Sequence, residues 1–354
     1  MAYPMSVMEL AVKREVQIIE PAWSMPHFLG KLSLALKDEG PALSTAPLDV
    51  SQVDPKVALV VRTSGSTGNP KSVLLTAQSL IASARASHKF LAARAGQRWS
   101  LLLPTAHIAG LNILVRSIEL GTEPVGVESK AEFSAIVPTQ LHRAVHEDKQ
   151  LLAHLQNCQA VLVGGARLDP NLKQEAQELG INVITTYGMS ETSGGVIYDG
   201  QALDAVSFQI MEGRIALKGP QIAYGYLEGG FPIENGWFVT DDLGSIVDGR
   251  LVVEARADDQ IISGGENISL SAIESYLQGE YSGLEIVAFA KADAEWGEKL
   301  CIATTSNIAL DEVRSKLANK FGSHASPKEL VIVSNIPYLP IGKPDRRKLS
   351  NDHS

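Results

Sequence analysis

The protein has 354 residues, of which 45% are hydrophobic and 20% are charged, and its formal net charge is -9 at pH 7. This composition excludes an intrinsically disordered chain, and the length favours two domains, because a single hydrophobic core seldom extends over so many residues. The negative charge disfavours nonspecific binding to nucleic acid or to an anionic membrane, since both reward basic surfaces.

The N-terminal sequence MAYPMSVMELAVKREV lacks a sustained apolar core and carries charged residues early. We therefore expect no signal peptide, and no apolar run in the chain reaches membrane-spanning length. The two cysteines, Cys158 and Cys301, match no metal-binding or redox spacing. A reducing cytoplasm is the simplest location for such a chain.

Apolar runs alternate with amphipathic segments through the first two thirds of the chain. In order, these are VALVVR, TAQSLIASARASHKFLAA, SLLLP, IAGLNILVRSIELG and EPVGV, followed by AVLVGG (160–165), DPNLKQEAQELG and NVITTYG (182–188). Strands that alternate with helices predict an α/β fold with a mainly parallel sheet.

The pattern changes from about Asp204. Shorter alternating segments, VSFQIMEGRIALKG, GWFVTDD and GSIVDGRLVVEA, predict antiparallel hairpins with turns such as Asp248-Gly249. From Arg256 the segments ISLSAIESYLQG, EIVAFA, LDEVRSKLANKFG and ELVIVS predict a small α+β module. We therefore expect a large N-terminal α/β domain at 1–255, with an antiparallel β subregion, and a small C-terminal α+β domain at 256–354.

The segment TSGSTGNPKS, from Thr63 to Ser72, follows the apolar run VALVV and precedes a helix-like segment. Small residues and glycines let several backbone N–H groups approach phosphate oxygens, and Lys71 adds a positive charge. The spacing differs from the Walker pattern because Pro70 precedes the lysine. A flexible Gly/Ser linker is the alternative, but the position at the end of a strand favours a ligand-binding loop.

RTSGSTGNPKS resembles the phosphate-binding loop of the adenylate-forming enzymes, the superfamily of acyl-CoA synthetases, luciferases and peptide-synthetase adenylation domains. Further segments resemble the other motifs of that superfamily in the same order. They are LPTAHIAG (103–110), VGGARL (163–168), TYGMSET (186–192), GWFVTDDLG (236–244), ARADDQIISGGENIS (255–269) and LPIGKPDRRKL (339–349). The resemblance extends from residue 62 to residue 349.

The resemblance implies that a carboxylate attacks the α-phosphate of ATP, and that CoA then takes the acyl group. It assigns the nucleotide to three groups of residues. The phosphate loop is Thr63, Ser64, Gly65, Ser66, Thr67, Gly68 and Lys71; the adenine side is Gly164, Gly165, Ala166, Tyr187, Gly188 and Ser190; the ribose side is Asp242 and Arg256.

The same resemblance assigns the catalytic residues, the hinge between the domains and the glycine loop for CoA. Lys343 bridges the substrate carboxylate and the α-phosphate, and Glu191 holds Mg²⁺ against the phosphates, which suits a hard cation. Asp258 occupies the hinge, and Gly264 and Gly265 line the entry of CoA. Without the surrounding motifs, Lys343 and Glu191 would be interpreted as solvent-exposed charges.

The acid substrate is indicated by two residues nine positions apart. His107 is expected to line the acyl pocket together with Gly110, and Arg116 interrupts the apolar segment GLNILVRSIEL. If Arg116 is buried it needs an anionic partner, whereas an arginine on the outer helix face needs none. The histidine-to-arginine spacing resembles that of the o-succinylbenzoate:CoA ligases of menaquinone synthesis, whose substrate is an aromatic dicarboxylic acid.

The chain also departs from the superfamily pattern. It is short before the phosphate loop, so the oligomeric state is open and includes a homodimer. Ser72, Ser190 and Asp241 replace the usual glycine, threonine and glycine. Ser190 keeps a hydroxyl group, and Asp241 is expected to face solvent or a cation. A ligase for another aromatic or medium-chain acid and a non-catalytic ATP- or AMP-binding sensor are the competing functions.

Overall fold

A computed structural model of the protein describes residues 13–63, 70–256, 259–263, 266–281, 283–293, 297–338 and 344–353. The chain forms two compact units. The first comprises Met1–Gln209, Ala216–Val239 and Ile246–Leu251, and the second comprises Ile210–Ile215, Thr240–Ser245 and Val252–Ser354. The second unit thus contains the C-terminal residues together with short pieces of the preceding strands.

The bounds of the elements are as follows. The strands are β1 (Arg14–Ile18), β2 (Ala42–Ser44), β3 (Gln52–Val53), β4 (Val57–Thr63), β5 (Lys71–Thr76), β6 (Trp99–Ser100), β7 (Phe133–Ile136), β8 (Ala160–Val163), β9 (Val183–Met189), β10 (Gly194–Tyr198), β11 (Gln201–Ala202), β12 (Ser207–Met211), β13 (Arg214–Lys218), β14 (Gly225–Tyr226), β15 (Ile233–Glu234), β16 (Trp237–Val247), β17 (Arg250–Arg256), β18 (Gln260–Ser263), β19 (Glu266–Ser269), β20 (Ile286–Asp293), β21 (Gly297–Thr304) and β22 (Glu329–Ile332). The helices are α1 (Met25–Leu36), α2 (Ala77–Phe90), α3 (Ile108–Leu120), α4 (Pro138–His146), α5 (Lys149–Gln156), α6 (Pro170–Glu178), α7 (Leu270–Glu280), α8 (Leu310–Phe321) and α9 (Arg346–Asp352).

Two six-stranded sheets have parallel centres. The first has the order β14–β5–β4–β2–β1–β3, with β4, β2 and β1 parallel and the outer strands antiparallel. The second has the order β11–β10–β9–β8–β7–β6, parallel from β9 to β6. The α/β fold is therefore confirmed, and the antiparallel pairs lie at the sheet edges.

Two further sheets carry the antiparallel part of the fold. One has the order β12–β13–β16–β15, with β17 paired to β16. The predicted Asp248-Gly249 turn joins β16 to β17, and both residues have positive φ (50° and 73°), as a tight hairpin requires. The other sheet has the order β19–β18–β21–β20, with β22 parallel to β21. Apolar residues of α7 and α8 pack on it, among them Ile273, Leu277 and Leu317.

Helix α3 is buried on almost every side, because its sequence IAGLNILVRSIEL is apolar around the whole circumference. Leu111, Ile113 and Leu114 are fully buried, and the helix ends at Gly121 in the left-handed conformation. Arg116 is only 4% exposed, which excludes the alternative of an arginine on an outer helix face. Across the described ranges, no helix is long and apolar enough to cross a bilayer.

The expectation of a helix directly after the phosphate loop is wrong. Lys71 begins a strand, β5, which pairs antiparallel with β4 in the register Thr63 to Lys71. Helix α2 begins only at Ala77, after Thr76 closes a capping box with Ser79. The segment 64–69 therefore connects two antiparallel strands, so a helix N-terminus does not follow it directly.

Candidate active site

The base of the predicted phosphate loop is formed by the ends of β4 and β5. The Thr63 hydroxyl donates to the Lys71 carbonyl oxygen at 3.2 Å. Lys71 is the first residue of β5, and it is exposed. The backbone N–H of Ser72 donates to both carboxylate oxygens of Glu228, at 2.9 and 3.1 Å. Burial raises the pKa of Glu228, but the hydrogen bonds from Ser72 and the positive charge of Arg62 are among the causes that lower it, and the pKa lies below its ordinary value. The predicted Ser64, Gly65, Ser66, Thr67 and Gly68 lie outside the described residues.

Lys71 and Glu191 both contact the side chain of Tyr226. The ammonium nitrogen of Lys71 lies 4.4 Å from the centroid of the Tyr226 ring. The Tyr226 hydroxyl donates to Oε1 of Glu191 at 2.8 Å. Tyr226 belongs to β14, which pairs antiparallel with β5. Sheet pairing thus brings together a predicted phosphate-binding lysine, a predicted metal-binding carboxylate and a tyrosine that no sequence pattern indicated.

The turn that carries Glu191 is held by buried polar side chains. Ser190, Glu191 and Thr192 form a 3-10 turn after β9, and Ser193 follows in the left-handed conformation with φ 52°. The Ser193 carbonyl oxygen accepts from Asn112 Nδ2 at 2.6 Å and from Ser83 Oγ at 2.8 Å. Because α2 and α3 both hold this turn, the backbone of Glu191 has a fixed position.

The residues predicted to surround adenine follow two neighbouring parallel strands, β8 and β9. A Cβ atom at Gly164 would lie 2.3 Å from Thr186 Oγ1, and one at Gly188 would lie 2.0 Å from the Gly194 carbonyl oxygen, so close packing alone already requires glycine there. Gly165 has φ +82°, which favours glycine for a different reason. The remaining predicted residues of this group are Ala166, which is exposed, and Tyr187 and Ser190, which are half-buried.

The residues predicted to bind ribose belong to the second unit. Asp242 is 7% exposed and its carboxylate lies 3.8 Å from Arg256 Nη1. Its backbone N–H donates to Thr240 Oγ1 at 3.1 Å. The neighbouring Asp241 was expected to face solvent or a cation; it is exposed and pairs with Arg214 at 3.2 Å.

The residues predicted for the acyl pocket lie on α3 and at its start. His107 is the N-cap residue of α3 and its side chain is exposed. Gly110 allows the first turn of the helix to pack closely, because a Cβ atom there would lie 2.2 Å from the Pro104 carbonyl oxygen. Arg116 lies nine residues after His107, about two and a half turns along the helix, in the interior of the first unit.

The guanidinium group of Arg116 lies among aromatic and hydroxyl groups. Its Nη2 donates to the Tyr198 hydroxyl at 3.1 Å, and its central carbon lies 4.8 Å from the Trp99 ring centroid. The Tyr198 hydroxyl shares a further hydrogen bond with Ser87 at 2.9 Å. Among the described residues, no carboxylate forms an ion pair with Arg116, and its Nε has no hydrogen-bond partner. This buried positive charge is suited to an anionic ligand.

His88 lies in the same interior region and stays neutral near pH 7. Burial, and secondarily the positive charge of Arg116, lower the pKa of His88 from 6.5 to about 4. A protonated His88 would place a second positive charge close to the guanidinium. The neutral imidazole avoids this repulsion.

We expect the free energy of unfolding to decrease as the pH falls from about 6.5 to about 4, because the unfolded chain binds a proton on His88 that the folded chain excludes. Chemical denaturation of the wild type and of His88→Gln at several pH values measures this. The difference in the free energy of unfolding between the wild type and His88→Gln should change by up to about 3 kcal/mol over that pH interval. Parallel stability curves would contradict a pKa of His88 that is lowered by folding.

Several predicted residues lie outside the described part of the chain. Besides the loop residues named above, they are Asp258, Gly264, Gly265 and Lys343. Their assigned roles remain predictions. The residues that no motif indicated, Asn112, Tyr198 and Tyr226, gain their contacts from strand pairing and helix packing between distant parts of the chain.

The chain matches known proteins in sequence. Residues 11–210 match the model of the AMP-binding enzyme family. A probable 2-succinylbenzoate–CoA ligase of Mycobacterium tuberculosis is 37% identical over 328 residues, covering 84% of this chain and 85% of that relative. A 2-succinylbenzoate–CoA ligase of Lactococcus lactis is 30% identical, covering 84% of this chain and 71% of that relative.

The solved structures agree in fold. The o-succinylbenzoate CoA synthetase of Bacillus subtilis, solved with the acyl-adenylate intermediate OSB-AMP, matches with a TM-score of 0.74 and 23% identity, covering 91% of this chain and 80% of that chain. The fold is thus that of an adenylate-forming enzyme. On the sequence matches, the chain belongs to the AMP-binding enzyme family.

Proposed function

We propose that the protein is an AMP-forming acid–CoA ligase that converts o-succinylbenzoate, ATP and CoA into o-succinylbenzoyl-CoA, AMP and pyrophosphate in menaquinone biosynthesis. The observation that carries the choice of acid is Arg116, a buried guanidinium without a carboxylate partner among the described residues. The names of the relatives support the same substrate.

A substrate with two carboxylates can satisfy both ends of this site. One carboxylate reacts with ATP, while the other is bound at a distance by Arg116. The Trp99 ring and the Tyr198 hydroxyl restrict the guanidinium plane, so little conformational freedom is lost when an anion binds. A fatty acid would bring only methylene groups to this charge and would leave it unpaired.

The reaction proceeds in two steps. An oxygen of the substrate carboxylate attacks the α-phosphorus of ATP, the bond to the β-phosphate oxygen breaks, and pyrophosphate leaves. The CoA thiolate then attacks the acyl carbon, and AMP leaves with the electrons of the acyl–oxygen bond. In the first step two anions must approach each other, so a cation between them is the main requirement. On the resemblance of LPIGKPDRRKL, we assign this role to Lys343.

The assignments for the nucleotide follow from the groups described above. Lys71 and the preceding loop contact the phosphates. Adenine lies between Tyr187 and the small residues after β8, and Asp242 accepts hydrogen bonds from the ribose hydroxyls. Asp242 is suited to this role because a carboxylate accepts hydrogen bonds from hydroxyl groups, and the side chain of Arg256 lies 3.8 Å from it.

The donor set around Glu191 is compatible with Mg²⁺. In the described ranges no three His, Cys, Asp or Glu side chains form a metal-binding group, and a single carboxylate combined with phosphate oxygens is a usual magnesium environment. Glu191 would therefore hold Mg²⁺ together with ATP rather than with other side chains. The cation would supply charge neutralisation of the phosphates.

A panel of acids tests the proposal. Pyrophosphate release is measured with ATP, Mg²⁺ and CoA in the presence of o-succinylbenzoate, benzoate, a medium-chain acid and a long-chain acid. We expect the highest kcat/KM for o-succinylbenzoate. A higher value for benzoate or a long-chain acid would refute the choice of acid. ATP binding without any acid-dependent pyrophosphate release would favour a nucleotide sensor instead.

The proposal places the reaction in the cytoplasm, where ATP and CoA are available. Cys158 and Cys301 are free and buried, which is compatible with a reducing compartment. We propose a homodimer as the assembly to test first, by light scattering.

A further inference from the structure

We propose that Tyr226 is a positioning residue that sets the geometry of both Lys71 and Glu191 for Mg²⁺–ATP. The inference rests on the proposed function, in which these two residues contact the phosphates and the cation. Tyr226 is half-buried and contacts each of them with a different part of its side chain.

The contact with Glu191 fixes one oxygen of the carboxylate. The Tyr226 hydroxyl donates to Oε1 at 2.8 Å. A hydrogen bond to an ionised acceptor is short and strong, so it restricts the rotation of the carboxylate. If Glu191 held Mg²⁺ through one oxygen, the bond from Tyr226 to Oε1 would leave Oε2 for the cation.

The contact with Lys71 uses the face of the ring. An ammonium 4.4 Å from a tyrosine centroid is attracted by the ring quadrupole. Lys71 forms no ion pair with Glu191 in the described part of the chain, although both contact the same tyrosine. The ring thus holds the ammonium near the carboxylate without the two charges neutralising each other, so both stay available to a ligand.

The backbone on either side of Tyr226 is fixed to the same two elements. The N–H of Ala223 donates to the Glu191 carbonyl oxygen at 2.8 Å, and the N–H of Leu227 donates to the Ser72 carbonyl oxygen at 2.9 Å. The segment 223–227 is therefore bonded to the turn of Glu191 and to the strand of Lys71. Tyr226 is placed between them by main-chain hydrogen bonds and not only by its side chain.

Calorimetric titration of ATP at several Mg²⁺ concentrations tests the inference without depending on turnover. Tyr226→Phe keeps the ring and removes the hydroxyl. We expect it to raise the Mg²⁺ concentration needed for half-maximal ATP affinity by about 3- to 10-fold, the factor for one typical hydrogen bond, because Tyr226 acts on the cation only through Glu191. Its ATP affinity in EDTA should equal that of the wild type, because Lys71 still contacts the ring. Tyr226→Leu should also weaken ATP binding in EDTA.

Tyr224→Phe is the matched control. Tyr224 is exposed, lies two residues before Tyr226, and donates its hydroxyl to Asp54 at 2.9 Å. We expect this variant to bind Mg²⁺–ATP as the wild type does. Equal Mg²⁺ dependence in Tyr226→Phe and Tyr224→Phe would overturn the role of Tyr226 while leaving the proposed function intact. Failure of the wild type to bind Mg²⁺–ATP would overturn the proposed function itself.

A double-mutant cycle separates positioning from general stabilisation. If Tyr226 acts through Glu191, Glu191→Gln alone should remove most of the Mg²⁺ dependence of ATP binding. Adding Tyr226→Phe to that variant should then have little further effect. Additive effects of the two substitutions would overturn the inference. Circular dichroism melting of each variant verifies that the compared proteins are folded.

Discussion

Replacing Lys343 by alanine is expected to remove nearly all acyl-adenylate formation while leaving the second half-reaction largely intact. The substrate carboxylate and the α-phosphate repel each other, and the proposed role of Lys343 is to neutralise both as they meet. Removal of one such electrostatic group costs about 100- to 1,000-fold in rate. The first step is measured by pyrophosphate release, and the second by consumption of synthetic acyl-adenylate with CoA.

Lys348→Ala provides the matched control in the same basic segment. Lys348 is exposed and pairs with Asp352 at 2.9 Å on α9, so its charge is satisfied within that helix. We expect near-normal rates in both steps for this variant. An equal loss of both steps in Lys343→Ala would contradict the division of labour between the lysine and the glycine loop Gly264-Gly265, and with it the hinge assigned to Asp258.

Long periodic segments allowed the fold class to be predicted. The segment IAGLNILVRSIEL forms α3, and the run NVITTYG lies mostly within β9. Apolar patterns that continue over many residues indicate the type of element more clearly than short ones do. The prediction failed where apolar residues directly adjoin a helix. KSVLLT forms the strand β5, whereas a helix was expected directly after the phosphate loop. Two-residue strands such as β14 have no period from which they could be recognised.

The candidate site was predictable only residue by residue. Motif resemblance indicated Lys71 and Glu191 separately, but their common neighbour Tyr226 is separated from Lys71 by more than 150 residues. Its position depends on the pairing of β14 with β5, which follows from the assembled sheet rather than from local sequence. The apolar neighbours of Arg116 left both burial and the outer helix face open, and the structure shows that it is buried and in contact with Tyr198.

Substitution of Arg116 by alanine is expected to raise the KM for o-succinylbenzoate by about 10- to 100-fold, corresponding to about 1.5 to 3 kcal/mol for a lost charge-assisted hydrogen bond. The KM for ATP should stay unchanged, because the guanidinium binds only the remote carboxylate. The KM of Arg116→Lys for o-succinylbenzoate should lie between those of the wild type and Arg116→Ala, since a lysine keeps the charge but loses the planar pair of donors that matches a carboxylate. Steady-state kinetics with each substrate varied in turn measures these effects.

The decisive comparison uses a matched acid that lacks the second carboxylate. If Arg116 binds that carboxylate, the wild type should prefer o-succinylbenzoate strongly over the matched acid, and Arg116→Ala should lose the preference. Arg85→Ala serves as the control arginine, because Arg85 is exposed and pairs with Glu119 at 2.6 Å. An equal rise in KM for both acids would show that Arg116 acts through packing against Trp99 and Tyr198. Its burial would then be structural, and the site would have to recognise its acid by other residues.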